Sequence, residues 1–258
     1  MLLPIRDDNP HTITPFVNYG LIIACVAVFL WQNALDESSA ELAIYAYGLV
    51  PGRITGQVKF PNIDTPAIFT LFTHMFMHGG WMHLIGNMWF LWIFGDNVEA
   101  SLGHKRYLIF YLGCGLAAAA GQFMLSPASD IPMVGASGAI SGVLGAYLIL
   151  HPRSNIKVFV LLIIFFTIWN LPAWIVLGFY FLMQLLSQAG SSPDQPGVAF
   201  MAHIAGFVAG AALVFFVRKP QVPVFQPAHS RPFAAETHRV GFRRHGIPDY
   251  DPRKGPWQ

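Results

Sequence analysis

Long apolar stretches constrain the fold of this chain more than any other feature. An α-helix needs roughly 20 apolar residues to cross about 30 Å of hydrocarbon. Six stretches approach that length, and they lie at about 16–32, 81–101, 105–125, 135–150, 171–189 and 200–217. In the whole chain 54% of the residues are hydrophobic and 11% are charged, whereas a soluble domain carries roughly 25% charge. The sequence therefore predicts an all-α membrane protein with six membrane-spanning helices.

Three other segments are predicted not to cross the membrane. Residues 33–80 are rich in Pro, Gly, Asp and Asn, so we expect a long first loop on or in the membrane interface. Residues 156–170 are apolar, but their fifteen residues give only about 22 Å of helix. Their Val, Ile, Phe and Thr content favours extended structure, and we expect them to lie along the membrane near its cytoplasmic face. Residues 218–258 are basic and rich in proline, which predicts a disordered tail.

The positions of lysine and arginine indicate the orientation. The turns at 104–106 and 151–157 and the tail are basic, whereas 126–134 and 190–199 contain no lysine or arginine. Both termini should then be cytoplasmic, with a cytoplasmic N-terminus at 1–15 and a transmembrane domain at 16–217. The compact length and the lack of a transit peptide favour a bacterial inner membrane.

Polar side chains interrupt three of the predicted spans at a similar depth. The second, fourth and sixth spans run from outside to inside, and near their outer ends they carry His83 and Asn87, Ser137, and His203, respectively. His83 and Asn87 are four residues apart and share one helix face. Because a polar side chain in a span is costly when it faces lipid, these positions predict a functional site.

The chemistry that these groups allow is nucleophilic. A histidine with an ordinary pKa near 6.5 accepts a serine proton at neutral pH, which pairs His203 with Ser137. The backbone N–H of Ser137, the Asn87 amide and His83 are candidates for stabilising an oxyanion. Since no Asp or Glu lies in a span at this level, the sequence predicts a dyad rather than a triad.

Ser137 also has simpler interpretations. A serine between glycines in a span is most often a packing residue that bonds back to a carbonyl one turn earlier, and near a helix start it can act as a cap. Histidines at the same depth on two neighbouring helices favour the catalytic interpretation instead. Two pairs of glycines spaced by four also predict close approach of the fourth and sixth spans; they are Gly138 with Gly142 and Gly206 with Gly210.

Taken together, these motifs resemble those of the rhomboid intramembrane serine proteases. The resemblance covers about 69–217, in the family's order and topology. It rests on four motifs, His83-x-x-x-Asn87, Gly135-Ala-Ser137-Gly138, Ala202-His203-x-x-Gly206 and Gly95-x-x-x-Glu99-x-x-x-Gly103. Any one of them alone would be weak evidence.

The resemblance implies a fold and an activity. The fold would be a six-helix rhomboid-like bundle with a membrane-embedded first loop at 33–80. Ser137 would be the nucleophile and His203 the general base, while His83 and Asn87 would stabilise the oxyanion. The enzyme would hydrolyse peptide bonds in or beside a transmembrane segment of its substrate, without metal or cofactor. Substrates would enter from the lipid beside the fifth span, and the partners would be membrane proteins and lipids, not nucleic acid.

Packing roles are expected for a second set of residues. The resemblance implies that Gly206 lets the base helix pack against the nucleophile helix. Similar packing is predicted for Gly135 and Gly138 of the serine motif and for Gly210, four residues after Gly206. Glu99, near the cytoplasmic end of its span, is expected to be a structural acceptor for loop or helix-end donors.

The chain also departs from the family's pattern. Many members have Trp-Arg in the first loop where this chain has Phe69-Thr70, which puts a stabilising contact of the loop in doubt. Some members carry a tyrosine four residues after the nucleophile, beneath the base, where this chain has Ser141.

The same polar residues also allow functions other than proteolysis. His74 and His78 with His83 suggest a metal site, but no carboxylate joins them and a structural role is favoured. A catalytically silent rhomboid-like protein that binds membrane clients would share the fold, although it should lack Ser137 or His203. A transporter is disfavoured because the sequence shows no repeated half.

Overall fold

The computed structural model describes residues 2–10, 12–162, 165–191 and 197–230. Most of these residues are helical, as the sequence predicts. The helices are α1 (Phe16–Asn33), α2 (Glu37–Tyr47), α3 (Pro51–Ile54), α4 (Thr70–Thr73), α5 (Trp81–Leu102), α6 (His104–Leu125), α7 (Ser137–Leu150), α8 (Ala173–Ala189) and α9 (Phe200–Val217). A 3₁₀ turn, Ala67–Phe69, precedes α4. The six long helices coincide with the six predicted apolar stretches.

Three of the six long helices meet both the length and the apolar composition that a membrane crossing requires, namely α1, α6 and α9. The helices α7 and α8 are apolar but shorter, with 14 and 17 residues. The structure therefore supports an integral membrane protein, and the number of crossings remains a prediction.

The fold is not all-α, and the prediction was wrong in this respect. Three strands, β1 (Leu2–Asp7), β2 (Asn155–Leu162) and β3 (Phe165–Pro172), form an antiparallel sheet in the order β1-β2-β3. The described part of 156–170, which leaves out 163 and 164, is extended, as predicted. The physical reason lies in β2, where Ile156, Val158 and Val160 are buried and the alternate positions are more exposed. A period of two with β-branched residues on the buried face stabilises a strand rather than a helix.

Strand β1 lies along helix α5. The Trp89 indole N–H donates to the Pro4 carbonyl oxygen at 2.7 Å, and the Asn97 amide donates to the Asp7 carboxylate at 2.8 Å. Eight helical residues and three strand residues span similar lengths, about 12 Å and about 10 Å. The strand therefore runs beside α5 over that distance. The Tyr147 hydroxyl of α7 also donates to the Asp7 carboxylate, at 2.6 Å, which ties β1 to α7.

Glu99 is fully buried and accepts hydrogen bonds at a helix end. Its carboxylate accepts from the backbone N–H groups of Val17 and Asn18 at 3.0 and 2.7 Å, and from His104 Nδ1 at 2.5 Å. The first N–H groups of a helix have no intrahelical acceptor. Glu99 therefore satisfies the start of α1, which is the kind of contact expected of it.

Helices α7 and α9 pack with their backbones in contact. A Cβ atom added to Gly206 would overlap the carbonyl oxygen of Gly138, and one added to Gly210 would overlap that of Gly142. Only glycine permits this approach. The close contact of these two helices brings the starts of both helices to the same place.

The first loop is held by backbone and side-chain bonds. Arg53 donates to the carbonyl oxygens of Tyr45 and Thr65 at 2.7 and 2.6 Å. The Gln32 side chain of α1 donates to the His78 carbonyl oxygen and accepts from the His78 N–H, at 3.2 and 3.0 Å. These bonds stabilise the loop in a chain that lacks the family's Trp-Arg pair. Its predicted place at the membrane interface stays a prediction.

Residues 218–230 differ from the predicted disordered tail. They contain no helix or strand, but the Phe225 and Gln226 N–H groups donate to the carbonyl oxygens of Ile149 and Leu150 at 2.8 and 2.9 Å. The last carbonyls of a helix lack intrahelical donors, so this segment caps α7. The remainder of the predicted tail, 231–258, lies outside the described residues.

Candidate active site

Ser137 and His203 are in hydrogen-bond contact. Ser137 is the first residue of α7 and His203 lies in the first turn of α9. The glycine contact between these helices brings the Ser137 Oγ to 2.7 Å from the His203 Nε2. The two residues that the sequence paired are thus placed at the distance that proton transfer requires.

The second ring nitrogen of His203 also has a partner. Its Nδ1 lies 2.9 Å from the Oε1 of Gln184, on α8. An amide oxygen only accepts, so this contact places the imidazole proton on Nδ1. The Nε2 of His203 is then left with a lone pair, which accepts the hydroxyl proton of Ser137.

Donors for an oxyanion lie beside the serine. Gly135 has a φ of 123°, and a Cβ atom there would lie 2.7 Å from His83 Nε2 and 3.6 Å from Asn87 Nδ2. Among the described residues the Asn87 Nδ2 has no hydrogen-bond partner although it is buried. The Ser137 N–H, at the start of α7, has no intrahelical acceptor. His83 and Asn87 therefore lie beside the approach to Ser137, and in the described part of the chain the Asn87 amide donor is free.

A cavity of about 860 Å³ joins these groups. Helix α5 contributes His83, Asn87 and Phe90 to one wall, and α8 contributes Tyr180 and Gln184 to another. The part of the lining that the structure describes contains no Asp, Glu, Lys or Arg. A site without fixed charges fits an uncharged peptide bond better than an ion.

Two residues of the site were missed from the sequence, Gln184 and Tyr180. The Tyr180 hydroxyl lies 2.7 Å from the Ser141 Oγ. The Ser141 hydroxyl also donates to the Ser137 carbonyl oxygen at 2.8 Å. A signal was present, since Tyr180 and Gln184 are polar residues four apart in an apolar helix. Ser141 shows the backbone contact that the simpler interpretation of a serine predicted.

The remaining histidines do not assemble a metal centre among the described residues, where no group of three or more potential ligands is close enough. The carbonyl oxygen of His74 accepts from the Gly135 N–H at 2.9 Å, which ties the first loop to the approach to Ser137. His78 packs against His83 with ring centroids 5.3 Å apart. Burial, with a smaller effect of His83, lowers the pKa of His78 to about 4, so that its ring is neutral at pH 7.

Comparisons with known proteins match the part of the chain that carries these residues. The model of the Rhomboid domain matches residues 65–220, which is more than half of the chain. The rhomboid protease GluP of Bacillus subtilis is 36% identical over 145 residues, covering 56% of this chain and 26% of that protein. The putative rhomboid protease YdcA of the same organism is 30% identical over 144 residues, covering 56% of this chain and 68% of that protein.

A third relative is matched over more of the chain. The rhomboid protease GlpG of Klebsiella pneumoniae is 25% identical over 210 residues, covering 80% of this chain and 64% of that protein. The match to GluP spans only about a quarter of its length. The family model, by contrast, includes the four residues that the sequence predicted for the site, His83, Asn87, Ser137 and His203. The chain belongs to the rhomboid family.

Proposed function

We propose that this protein is an intramembrane serine endopeptidase that uses a dyad of Ser137 and His203. The observation that carries the proposal is the 2.7 Å contact between the Ser137 Oγ and the His203 Nε2. Beside it lies the Asn87 Nδ2, which has no hydrogen-bond partner within the residues that the structure describes. The names of the relatives as rhomboid proteases support the same reaction class. A packing serine would need neither a base nor free donors next to it.

The geometry suggests how the groups act. The Ser137 Oγ attacks the carbonyl carbon of the scissile bond while its proton passes to the His203 Nε2. The negative charge on the carbonyl oxygen is stabilised by the Asn87 amide, the Ser137 N–H and His83. His203 then gives the proton to the leaving amine as the C–N bond breaks. Water, activated by the same base, hydrolyses the resulting ester and restores Ser137.

The substrates are proposed to be membrane proteins that enter from the lipid. The cavity lies between walls formed by α5 and α8, and both helices expose large apolar side chains, among them Trp92, Phe179 and Leu186. Such surfaces are compatible with lipid and with an apolar transmembrane segment. No metal or cofactor takes part in the proposed reaction.

The proposal is tested with the purified full chain in detergent and a generic transmembrane substrate. We expect cleavage that persists in EDTA, and a fluorophosphonate probe that modifies Ser137, located by mass spectrometry. Cleavage inhibited by the chelator, or a probe that modifies another serine, would contradict it. A protein that takes the probe at Ser137 but cuts nothing would be a protease with narrow substrate requirements. One that neither reacts nor cuts would be a silent client-binding relative or, with flux in vesicles, a transporter.

We further propose that the six long helices cross a bacterial inner membrane with both termini in the cytoplasm. The support is the basic character of the turns at 104–106 and 151–157, opposite two outer turns without lysine or arginine. The test uses single cysteines on exposed positions, since Cys25 and Cys114 are buried. A membrane-impermeant maleimide should label Ser38→Cys in intact spheroplasts but Gln221→Cys only after lysis. The reverse pattern would overturn the orientation.

A further inference from the structure

Helix α8 presents two polar side chains to the dyad from otherwise apolar surroundings. Tyr180 and Gln184 are one turn apart, so they lie on one face of the helix. Gln184 contacts His203 on α9 and Tyr180 contacts Ser141 on α7. One face of α8 therefore reaches both helices of the dyad.

The contact with Gln184 decides which ring nitrogen of His203 carries the proton. With Oε1 towards Nδ1, the imidazole proton is held on Nδ1 and the Nε2 lone pair faces Ser137, 2.7 Å away. Without that acceptor, the proton is free to move to Nε2, where it would block transfer from Ser137. In the described lining of the cavity no carboxylate replaces Gln184 in this role.

The contact with Tyr180 supports the nucleophile. Because Ser141 gives its only hydroxyl proton to the Ser137 carbonyl oxygen, Tyr180 must donate to the Ser141 Oγ. The Tyr180 ring also packs against Phe90 and Phe207, with centroids 6.3 and 6.4 Å apart. The phenol thus stabilises the first turn of α7 from a helix that borders the cavity.

We propose that Gln184 is the positioning residue that orients His203 as a base, and that seating of α8 against α7 and α9 aligns the dyad. This inference rests on the proposed function, because it assigns a role in the same reaction. It explains how the chain functions with Ser141 in place of the tyrosine that some relatives carry beneath the base. It also places the alignment of the base under the control of a helix that forms a wall of the cavity.

The experiment compares Gln184→Leu and Gln184→Glu with wild type in the full chain. Gln184→Leu should lower kcat about 10- to 100-fold, as loss of an orienting partner does elsewhere, with little change in KM. Gln184→Glu should keep most of the activity and move the acid limb of kcat/KM to higher pH, since a carboxylate favours the imidazolium. The other titratable side chains that face the cavity are those of His74, His83 and Tyr180. They are present in all variants, so their effect on the pH profile is the same in each and drops out of the comparison.

The matched control is Gln188→Leu, one turn further along α8, where the amide contacts only Ser191 among the described residues. Gln188 also lines the cavity, but its amide does not bond to His203, so this variant should leave the pH profile unchanged. Thermal unfolding of each variant separates a loss of fold from a loss of positioning. A Gln184→Leu variant that folds and cuts like wild type, with the same pH profile, would overturn the inference.

A second readout does not depend on activity. Nitrogen-15 NMR of labelled histidines in micelles should show His203 as the Nδ1–H tautomer in wild type and a mixture in Gln184→Leu. Unchanged spectra would refute the role of Gln184. If wild type neither cuts nor reacts with the probe, the proposed function fails while the tautomer measurement still decides whether Gln184 orients His203.

Discussion

Replacing Ser137 with alanine is expected to lower kcat by about 10⁴-fold or more, because the attacking oxygen is lost and water is a poor substitute. His203→Ala should have an effect of the same order, since the serine then has no acceptor for its proton. The double variant should be no slower than either single one, as both residues act in one step. The measurement is single-turnover cleavage of a transmembrane substrate in detergent.

Two controls test whether the loss is specific to Ser137 and whether the variant still folds. Ser187→Ala removes a serine from α8 that, among the described residues, has no hydrogen bond to Ser137 or His203, and it should cut like wild type. The Ser137→Ala variant should unfold at nearly the wild-type temperature, because it loses one hydroxyl at the edge of a cavity. Activity above a tenth of wild type in Ser137→Ala would show that the dyad is wrong.

Of the variants proposed for this protein, Gly210→Ala is expected to lose the most stability. A methyl group at this position would overlap the Gly142 carbonyl oxygen, and neighbouring atoms of the Gly142 backbone lie within 2.5 Å of it. Backbone cannot turn away as a flexible side chain does, so the helices must separate. We expect the free energy of unfolding to fall by about 3 kcal/mol, at the upper end for overpacked sites. Thermal unfolding in detergent measures the effect.

The matched control is Gly113→Ala, in the middle of α6. A Cβ atom there has no neighbour within 4 Å, so the helix gains propensity without a clash. Its stability should equal or slightly exceed that of wild type. Equal stability of Gly210→Ala and wild type would mean that α7 and α9 are less tightly packed than the structure indicates.

The long helices and the contact between Ser137 and His203 were predictable from the sequence because both depend on simple patterns. Apolar runs define the helices. Ser137, His203, His83 and Asn87 stand out as polar groups at one depth. If successive helices cross the membrane in alternate directions, polar side chains at the same depth lie at one level of the helix bundle. They can then meet whatever the details of side-chain packing.

Other features were not predictable because they depend on which surfaces meet. Gln184 is uncharged, and its role follows only when a particular face of α8 is known to pack on α9. Strand β1 is six residues long and contains Pro4, and its partner lies in a distant part of the chain. The first residues of the tail were predicted from composition, which does not reveal a cap on Ile149 and Leu150.

The pairing of β1 with β2 sets an order for biosynthesis. Asp7 lies opposite Ile156, so β1 waits for about 150 residues before its partner strand exists. At about 5 to 20 residues per second, this delay is on the order of ten seconds. During that time α1, α5, α6 and α7 are synthesised while the N-terminal strand is still unpaired. Strand β1 is therefore among the last parts to assemble, and a fusion partner attached directly before it would compete with the final step of folding.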